Sequence, residues 1–414
     1  MYAYCDDITI CGDHAACVGA MNLLTSKLGE VGLQINKLKS KCNKQKTAST
    51  LGLPFSSSTE KVSMMKSSTG QRTCSKKLPN CLQPQLLFPV VQKCSVPSLL
   101  YFTRTTPTND SLRVRSMFDE HVDTIMKNLL SVEKLDSTQQ VMTHLPKSLG
   151  GLGVMRFMLV GEVCYRSSFE GIAQSSLLAL KNKELFDSLP PNLQNFMKRN
   201  KDKNSSFWMT NPVSKTDRDA SFFTTCLKHR MNLQVVTGKK CVCGVDKEVE
   251  QHVLGCSKLV GANVSWRHSV LCNVIASFCR DNFIPVSASP FMVRTESSHA
   301  RADLLIAFGT DDFYVDLTVI NSFCKSHSHK DSEALYKEKE KLKETRYLKH
   351  VEARGGSFVT FSVQVNGVLS RSAKLLVNKI EKYVDKVGEL KTKILTQLHR
   401  CNAQILLNAA CVLN

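Results

Sequence analysis

Apolar residues change their spacing several times along the chain, and each change predicts an element. Met1–Tyr4 and Ile8–Cys11 are strand-like runs on either side of Cys5-Asp6-Asp7, which predicts a hairpin with its bend at those three residues. From His14 to Val31, Val18, Met21, Leu24 and Leu28 fall on one stripe and Gly32 follows, the pattern of an amphipathic helix and its stop. Leu33–Ile35 predicts a short strand, and residues 56–78, rich in Ser, Thr and Lys, a loop. From Gln83 to about Lys201 the spacing is mainly helical; Val114–Val132 carries Met117, Val122, Ile125, Met126 and Leu129 on one face. Gly150-Gly151-Leu152-Gly153 and Pro190-Pro191 interrupt it, and the basic, polar run Lys198–Ser206 predicts a linker. A compact Cys/His stretch at 241–256 precedes a helix (Ser265–Asn282), a strand-rich stretch (Pro285–Val319), a charged helix (Asp331–Ala353), a strand (Ser357–Val365) and further helix over 370–413. There is no internal repeat.

Composition narrows the class. At 414 residues the chain has room for two to four domains, and 42% hydrophobic residues suffice for packed cores. Lys and Arg number 55 against 36 Asp and Glu, a formal net charge of +19, which favours polyanionic partners. Nucleic acid comes first, because neutralising phosphates releases counterions; an acidic membrane surface comes second. No apolar run reaches the roughly 18 residues of a membrane span, and the acidic start lacks the form of a secretory signal. The 17 cysteines are odd in number and scattered, which suits a reducing compartment, nuclear or cytoplasmic, and one local metal site.

Three places carry candidate chemistry. Asp6 and Asp7 on a tight hairpin could hold Mg²⁺ through hard oxygen ligands, though Asp-Asp at a turn is also ordinary. Cys241, Cys243, His252 and Cys256 follow C-x-C-x8-H-x3-C, a thiolate-rich set for a closed tetrahedral Zn²⁺ site. Gly244 permits the turn after the first pair, and His252 and Cys256, four apart, can share a helix face. The bland alternative is four core cysteines and histidines. Asp303 and Asp316 start and interrupt two strands joined by Gly309–Asp312. Antiparallel pairing would bring both to one end of a sheet, where they could hold Mg²⁺ beside a phosphate. Asp316 lies among Tyr314, Val315, Leu317 and Val319, and a carboxylate in an apolar strand needs a partner or a metal. Arg267-His268 could contact nucleic acid or equally pair locally.

The order of these segments resembles the C-terminal part of a non-LTR (LINE-type) retrotransposon polyprotein with a restriction-like endonuclease. Tyr4-Cys5-Asp6-Asp7 resembles the carboxylate motif of reverse transcriptases. Gly32-Leu33-Gln34-Ile35-Asn36 with Lys39-Ser40-Lys41 resembles the next palm segment, and Leu51-Gly52-Leu53-Pro54-Phe55 the primer grip. Pro97–Arg104, Phe118-Asp119, and Leu145-Pro146 with Gly150-Gly151-Leu152-Gly153 resemble the helical thumb region. The Cys/His set resembles the family's CCHC knuckle, and Arg267-His268 its RH segment. Arg301-Ala302-Asp303, twelve residues, then Asp316-Leu317-Thr318-Val319 resembles its PD…D nuclease core.

The resemblance implies an α+β multi-domain chain. It comprises a palm remnant (1–60), a thumb-like helical region (75–200), a zinc-knuckle region (215–260), an α/β nuclease of the PD-(D/E)XK type (262–370) and C-terminal helices (371–414). It implies DNA and RNA as partners, Mg²⁺ and Zn²⁺ as cofactors, and nicking of DNA to give a 3′-hydroxyl that primes reverse transcription. Two departures stand out. Ala302 replaces the family's proline. Thr318 stands where the PD-(D/E)XK lysine is usual, so that role falls to Lys343 within Glu340-x-x-Lys343-x-x-x-Tyr347, with Lys339 and Lys341 as neighbours; Glu296 is a candidate extra metal ligand. The family's further polymerase carboxylate and fingers precede this hairpin, so a truncated, polymerase-inactive chain is expected. The alternatives are a nucleic-acid-binding remnant without catalysis and a remnant that folds poorly.

Overall fold

A computed structural model describes residues 2–4, 7–9, 14–30, 34, 48–50, 53–55, 83–170, 173–209, 217–246, 248–294, 299–327 and 330–413. They form a mixed α+β protein, mostly helical, with a small four-stranded mixed sheet. The chain divides into two compact units, Met1–Cys81 and Leu82–Asn414. Among the described residues no helix is long and apolar enough to cross a membrane.

In the first unit, β1 (Tyr2–Tyr4) pairs antiparallel with β2 (Asp7–Thr9), and Tyr4 stands opposite Asp7. Asp7, expected in the bend, belongs to the strand, and Cys5 and Asp6 lie outside the described residues. Helix α1 (His14–Glu30) falls where the apolar stripe places it. β3 (Ala48–Thr50) and β4 (Leu53–Phe55) make a second antiparallel pair. Gln34 is irregular; the rest of the expected strand at 33–35 and the loop at 56–78 lie outside the described residues.

The second unit opens with helices. α2 (Pro84–Val90) contains Pro89, which has no amide hydrogen to give, and the chain widens into a π turn at Val91–Ser95 before α3 (Val96–Thr105). α4 (Thr108–Leu130) buries Val122, Ile125, Met126 and Leu129, the face its spacing predicts. α5 (Ser137–His144) begins with a capping box between Asp136 and Gln139. The chain then turns back through Gly150 and Gly151. A Cβ on either would lie 2.3 Å from the Met197 carbonyl oxygen or 2.1 Å from that of Leu145, so only glycine fits. α6 (Phe157–Phe169) is capped from a distance, because the Asp119 carboxylate accepts from the amides of Phe157 and Met158 at 2.9 Å each. α7 (Gln174–Asp187) and α8 (Pro191–Arg199) follow, with Pro191 in a first turn that needs no amide donor.

Residues 198–206 are not a linker. Asn200, Asn204, Ser205 and Ser206 are buried, and a 3₁₀ segment runs from Lys203 to Met209. The Arg230 guanidinium, at the end of α9 (Asp217–Arg230), donates to the carbonyls of Asn200, Gly151 and Ser205 at 3.1–3.3 Å. A buried guanidinium has five donors to satisfy, and a polar run of chain supplies acceptors for them. The same polar composition reads as a solvated linker when that partner is out of view.

After α10 (Val249–Val253) and α11 (Val264–Asp281) come β5 (Val286–Ala288), the bulged antiparallel pair β6 (Phe291–Arg294) and β7 (His299–Arg301), β8 (Leu304–Phe308) and β9 (Asp311–Ile320). α12 (Ser332–Glu352) leads to β10 (Ser357–Gln364), and α13 (Arg371–Tyr383) and α14 (Glu389–Leu413) follow. The sheet runs β10-β9-β8-β5, with β10 parallel to β9 and the other pairs antiparallel. A parallel pair needs a long crossover, and α12 is that crossover.

The two faces of this sheet differ. Val315, Leu317, Phe361 and Val363 point into a core shared with Leu271, Ile275 and Phe278 of α11 and with Leu390, Ile394 and Leu398 of α14. Alternation sends Tyr314 and Asp316 of β9 and Thr360, Ser362 and Gln364 of β10 the other way. On that side Tyr347 and Val351 of α12 pack with Ala302 and Tyr314, and the polar residues lie beyond them, buried.

Candidate active site and metal centre

Asp303 stands one residue before β8. Its amide donates to the Val315 carbonyl at 2.9 Å, and Leu304 pairs with Val315, so the register sets Asp303 against Asp316 across the two strands. The two residues therefore stand opposite each other in the register. The Asp316 side chain is 7% exposed, that of Asp303 26%.

Lys343, on α12, places its ammonium 2.8 Å from Asp316 Oδ2. The pair is ionic, and Oδ2 is fully buried against that ammonium. Burial pushes the Asp316 carboxyl up from its ordinary value; Lys343 and His268 draw it down, and Asp303 adds to the rise. Tyr347 is buried one turn beyond Lys343, which orients that face of α12 onto the sheet, while Lys341 is exposed. Glu340 accepts from Ser372 Oγ at 2.6 Å, and that hydroxyl also lies 2.7 Å from the Thr360 carbonyl. Ala302 is buried, and its amide donates to the Pro290 carbonyl at 3.1 Å, a bond that a proline there could not make. Glu296 lies outside the described residues.

His268, left open by the sequence between nucleic-acid contact and local pairing, lies beside Asp303. Its Nε2 is 3.1 Å from Asp303 Oδ2 and 3.1 Å from the Leu317 carbonyl. The hydrogen bond to Asp303, with Cys272 behind the ring, raises the imidazole to about 10. His268, Cys272 and Asp303 bring ligand atoms within 4.8 Å of one another. The signal was available: on a helix, neighbours sit about 100° apart, so Arg267 and His268 need not share an environment.

Arg267, read as a candidate nucleic-acid contact, is 1% exposed. Its guanidinium donates to Asn402 Oδ1 at 2.7 Å and to the Leu254 carbonyl at 3.0 Å, and burial lowers it to about 10. Local pairing is the alternative this side chain adopts, since a buried guanidinium cannot reach a phosphate.

The second centre lies in a short stretch. The ligand atoms of Cys241, Cys243, His252 and Cys256 all fall within 4.8 Å of one another, a cluster that could bind a metal such as zinc. Cys243 Sγ is 3.0 Å from His252 Nε2, and Cys241 Sγ 3.7 Å from Cys256 Sγ. Gly244, at φ +96°, donates its amide to the Cys241 carbonyl and closes the expected turn. His252 is on α10, but Cys256 lies past its end, in a turn where Gly255 bonds back to the His252 carbonyl. The two share a site without sharing a helix face. Three thiols and one imidazole, with no water-facing gap demanded by the set, suit a structural tetrahedral ion.

No protein-family model and no curated protein matches the chain.

Proposed function

We propose that Leu82–Asn414 carries a metal-dependent DNA endonuclease of the restriction-like PD-(D/E)XK type, and that the chain derives from a non-LTR retrotransposon polyprotein. The observation that carries the nuclease reading is the buried Asp316 carboxylate, set opposite Asp303 by strand register, with the Lys343 ammonium 2.8 Å from Oδ2. Hard carboxylate oxygens fit Mg²⁺, which would lower the pKa of a bound water and offset charge on the phosphate. Asp303 and Asp316 are the residues that would hold it. The Lys343 ammonium supports the negative charge that grows on the phosphate oxygens or orients the attacking water. Water adds to phosphorus, the bond to the 3′ oxygen breaks, and that oxygen takes up a proton, leaving a 5′-phosphate and a 3′-hydroxyl. Cys241, Cys243, His252 and Cys256 would hold Zn²⁺ in a structural role. The +19 net charge suits DNA and RNA as partners. For the hairpin of the first unit, where Asp6 lies outside the described residues, no chemistry is proposed.

The test is Mg²⁺-dependent nicking of supercoiled plasmid. The Asp303→Ala, Asp316→Ala double variant should fall to background, and full nicking by it would overturn the reading. A nucleic-acid-binding protein without cleavage is the second reading. It is favoured by the cation partner that each carboxylate already has, and it predicts salt-sensitive binding with intact DNA under every metal condition.

A further inference from the structure

We infer that His268 is the positioning residue for Asp303: it fixes one carboxylate oxygen so that the other is presented to a divalent cation. The inference rests on the endonuclease reading of the Asp303/Asp316 pair.

The two carboxylates are restrained differently. Asp316 lies within β9 between two hydrogen-bonded neighbours, β8 and β10, and is nearly enclosed. Asp303 lies in a bend before β8 with about a quarter of its side chain exposed. Its backbone is held, since its amide donates to Val315 and its carbonyl accepts from Ser289 at 2.8 Å. An unrestrained side chain there would sample several rotamers, and ordering it on metal binding would cost entropy.

Two donors converge on Asp303 Oδ2. The Leu317 amide is 2.6 Å away and His268 Nε2 3.1 Å. Nε2 also faces the Leu317 carbonyl, so both its neighbours are acceptors and it carries a hydrogen whichever charge the ring has. Nδ1 faces Cys272 Sγ, one helical turn further on, at 3.9 Å. With Oδ2 filled in this way, Oδ1 is the oxygen left for a cation. Leu317 is the residue after Asp316, so the strand that supplies one carboxylate also fixes the other.

The ring is itself anchored. Arg267, next to it, is clamped between the Leu254 carbonyl and Asn402, which pins the first turn of α11. The Arg-His pair thus divides the work: Arg267 fixes the helix and His268 fixes the carboxylate. Hydrogen-bond partners of metal ligands typically contribute a factor of about 10–100 in metal affinity or activity.

The experiment compares His268→Gln with His268→Asn in the full chain, loaded with zinc. Glutamine can put an amide donor near the position of Nε2; asparagine, one methylene shorter, cannot. Two readouts are taken: the Mg²⁺ concentration for half-maximal plasmid nicking, and Mn²⁺ binding followed by electron paramagnetic resonance without DNA. The Asn variant should need about tenfold more metal in both, with a smaller change in maximal rate, while the Gln variant stays near wild type. Two results would overturn the inference: equal metal dependence in all three proteins, or equal loss in Gln and Asn, which would mean that ring packing matters and the donor does not. Wild-type protein that binds no Mn²⁺ at this site (judged against Asp316→Ala) and does not nick would overturn the endonuclease reading itself, and this inference with it.

Discussion

The Cys/His cluster and the carboxylate site belong to the same unit, yet they are assembled in opposite ways. The cluster takes its four ligands from one stretch, 241–256, and its shape depends on local turns at Gly244 and Gly255. The carboxylate site draws on α11, the start of β8, β9 and α12, with the sheet register setting the distances. Cys241 and Cys256 sit in a small apolar cluster with Val249, Val253, Leu254, Leu259 and residues of α14. The carboxylates have His268 and Lys343 beside them, so their charges are countered by the fold itself. One centre is local in the sequence; the other exists only where the sheet and two helices meet.

The largest effect that would break this contrast is loss of zinc. Cys256→Ser should release the ion and lower stability by several kcal/mol, a fraction of the roughly 10–16 kcal/mol that such sites can contribute to folding. Zinc content and thermal melting measure it. Asp316→Ala should leave both close to wild type, and if it loses zinc as well, the two centres are not separable. Next in size, Lys343→Ala should keep the fold by circular dichroism and lower the nicking rate about a hundredfold, the scale of one lost charge-stabilising group. An unchanged rate would remove Lys343 from the chemistry and leave it a structural partner of Asp316.

The smallest effect sharpens the comparison by separating folding from catalysis on the acid side. His144 Nδ1 accepts from the Arg156 amide and its Nε2 donates to Asn182 Oδ1, so the ring is neutral, and burial lowers it to about 4. An unfolded histidine titrates near 6.5, so between these values the unfolded chain binds the proton first. The contribution is therefore full above about 6.5 and is lost as pH falls toward 4. At pH 6 the loss is just under about 1 kcal/mol, growing to about 3 kcal/mol near pH 4. His144→Gln should flatten the slope of denaturant-measured stability against pH in this window. A slope that does not change would place the acid limb elsewhere.

Much of the second unit was legible because its signals are local. The strands around Asp303 and Asp316, the charged helix after them and the C-x-C-x8-H-x3-C set all follow from spacing, and the structure agrees within a residue or two at most ends. What was not legible depends on distant partners. Arg267 is buried because Asn402, far along the chain, and the Leu254 carbonyl receive it. The run 198–206 is packed because Arg230 needs its carbonyls. His268 meets Asp303 only once α11 lies over the end of the sheet. Residue type marked each of these positions as chemically able, but only packing decided which partner it found.

Helix α14 sets a timetable for synthesis. Leu390, Ile394 and Leu398 close the core over α11, and Ile405, Leu406 and Ala409 close the cluster around Cys241 and Cys256. On a ribosome adding roughly 5–20 residues per second, α11 would wait on the order of 5–30 s for these residues to be added. Until then the apolar face of α11 and the cysteines at 241–256 lack the partners that bury them in the finished fold. Closure of the core over α11 and closure of the cluster around Cys241 and Cys256 are therefore late, nearly simultaneous events, both set by one helix.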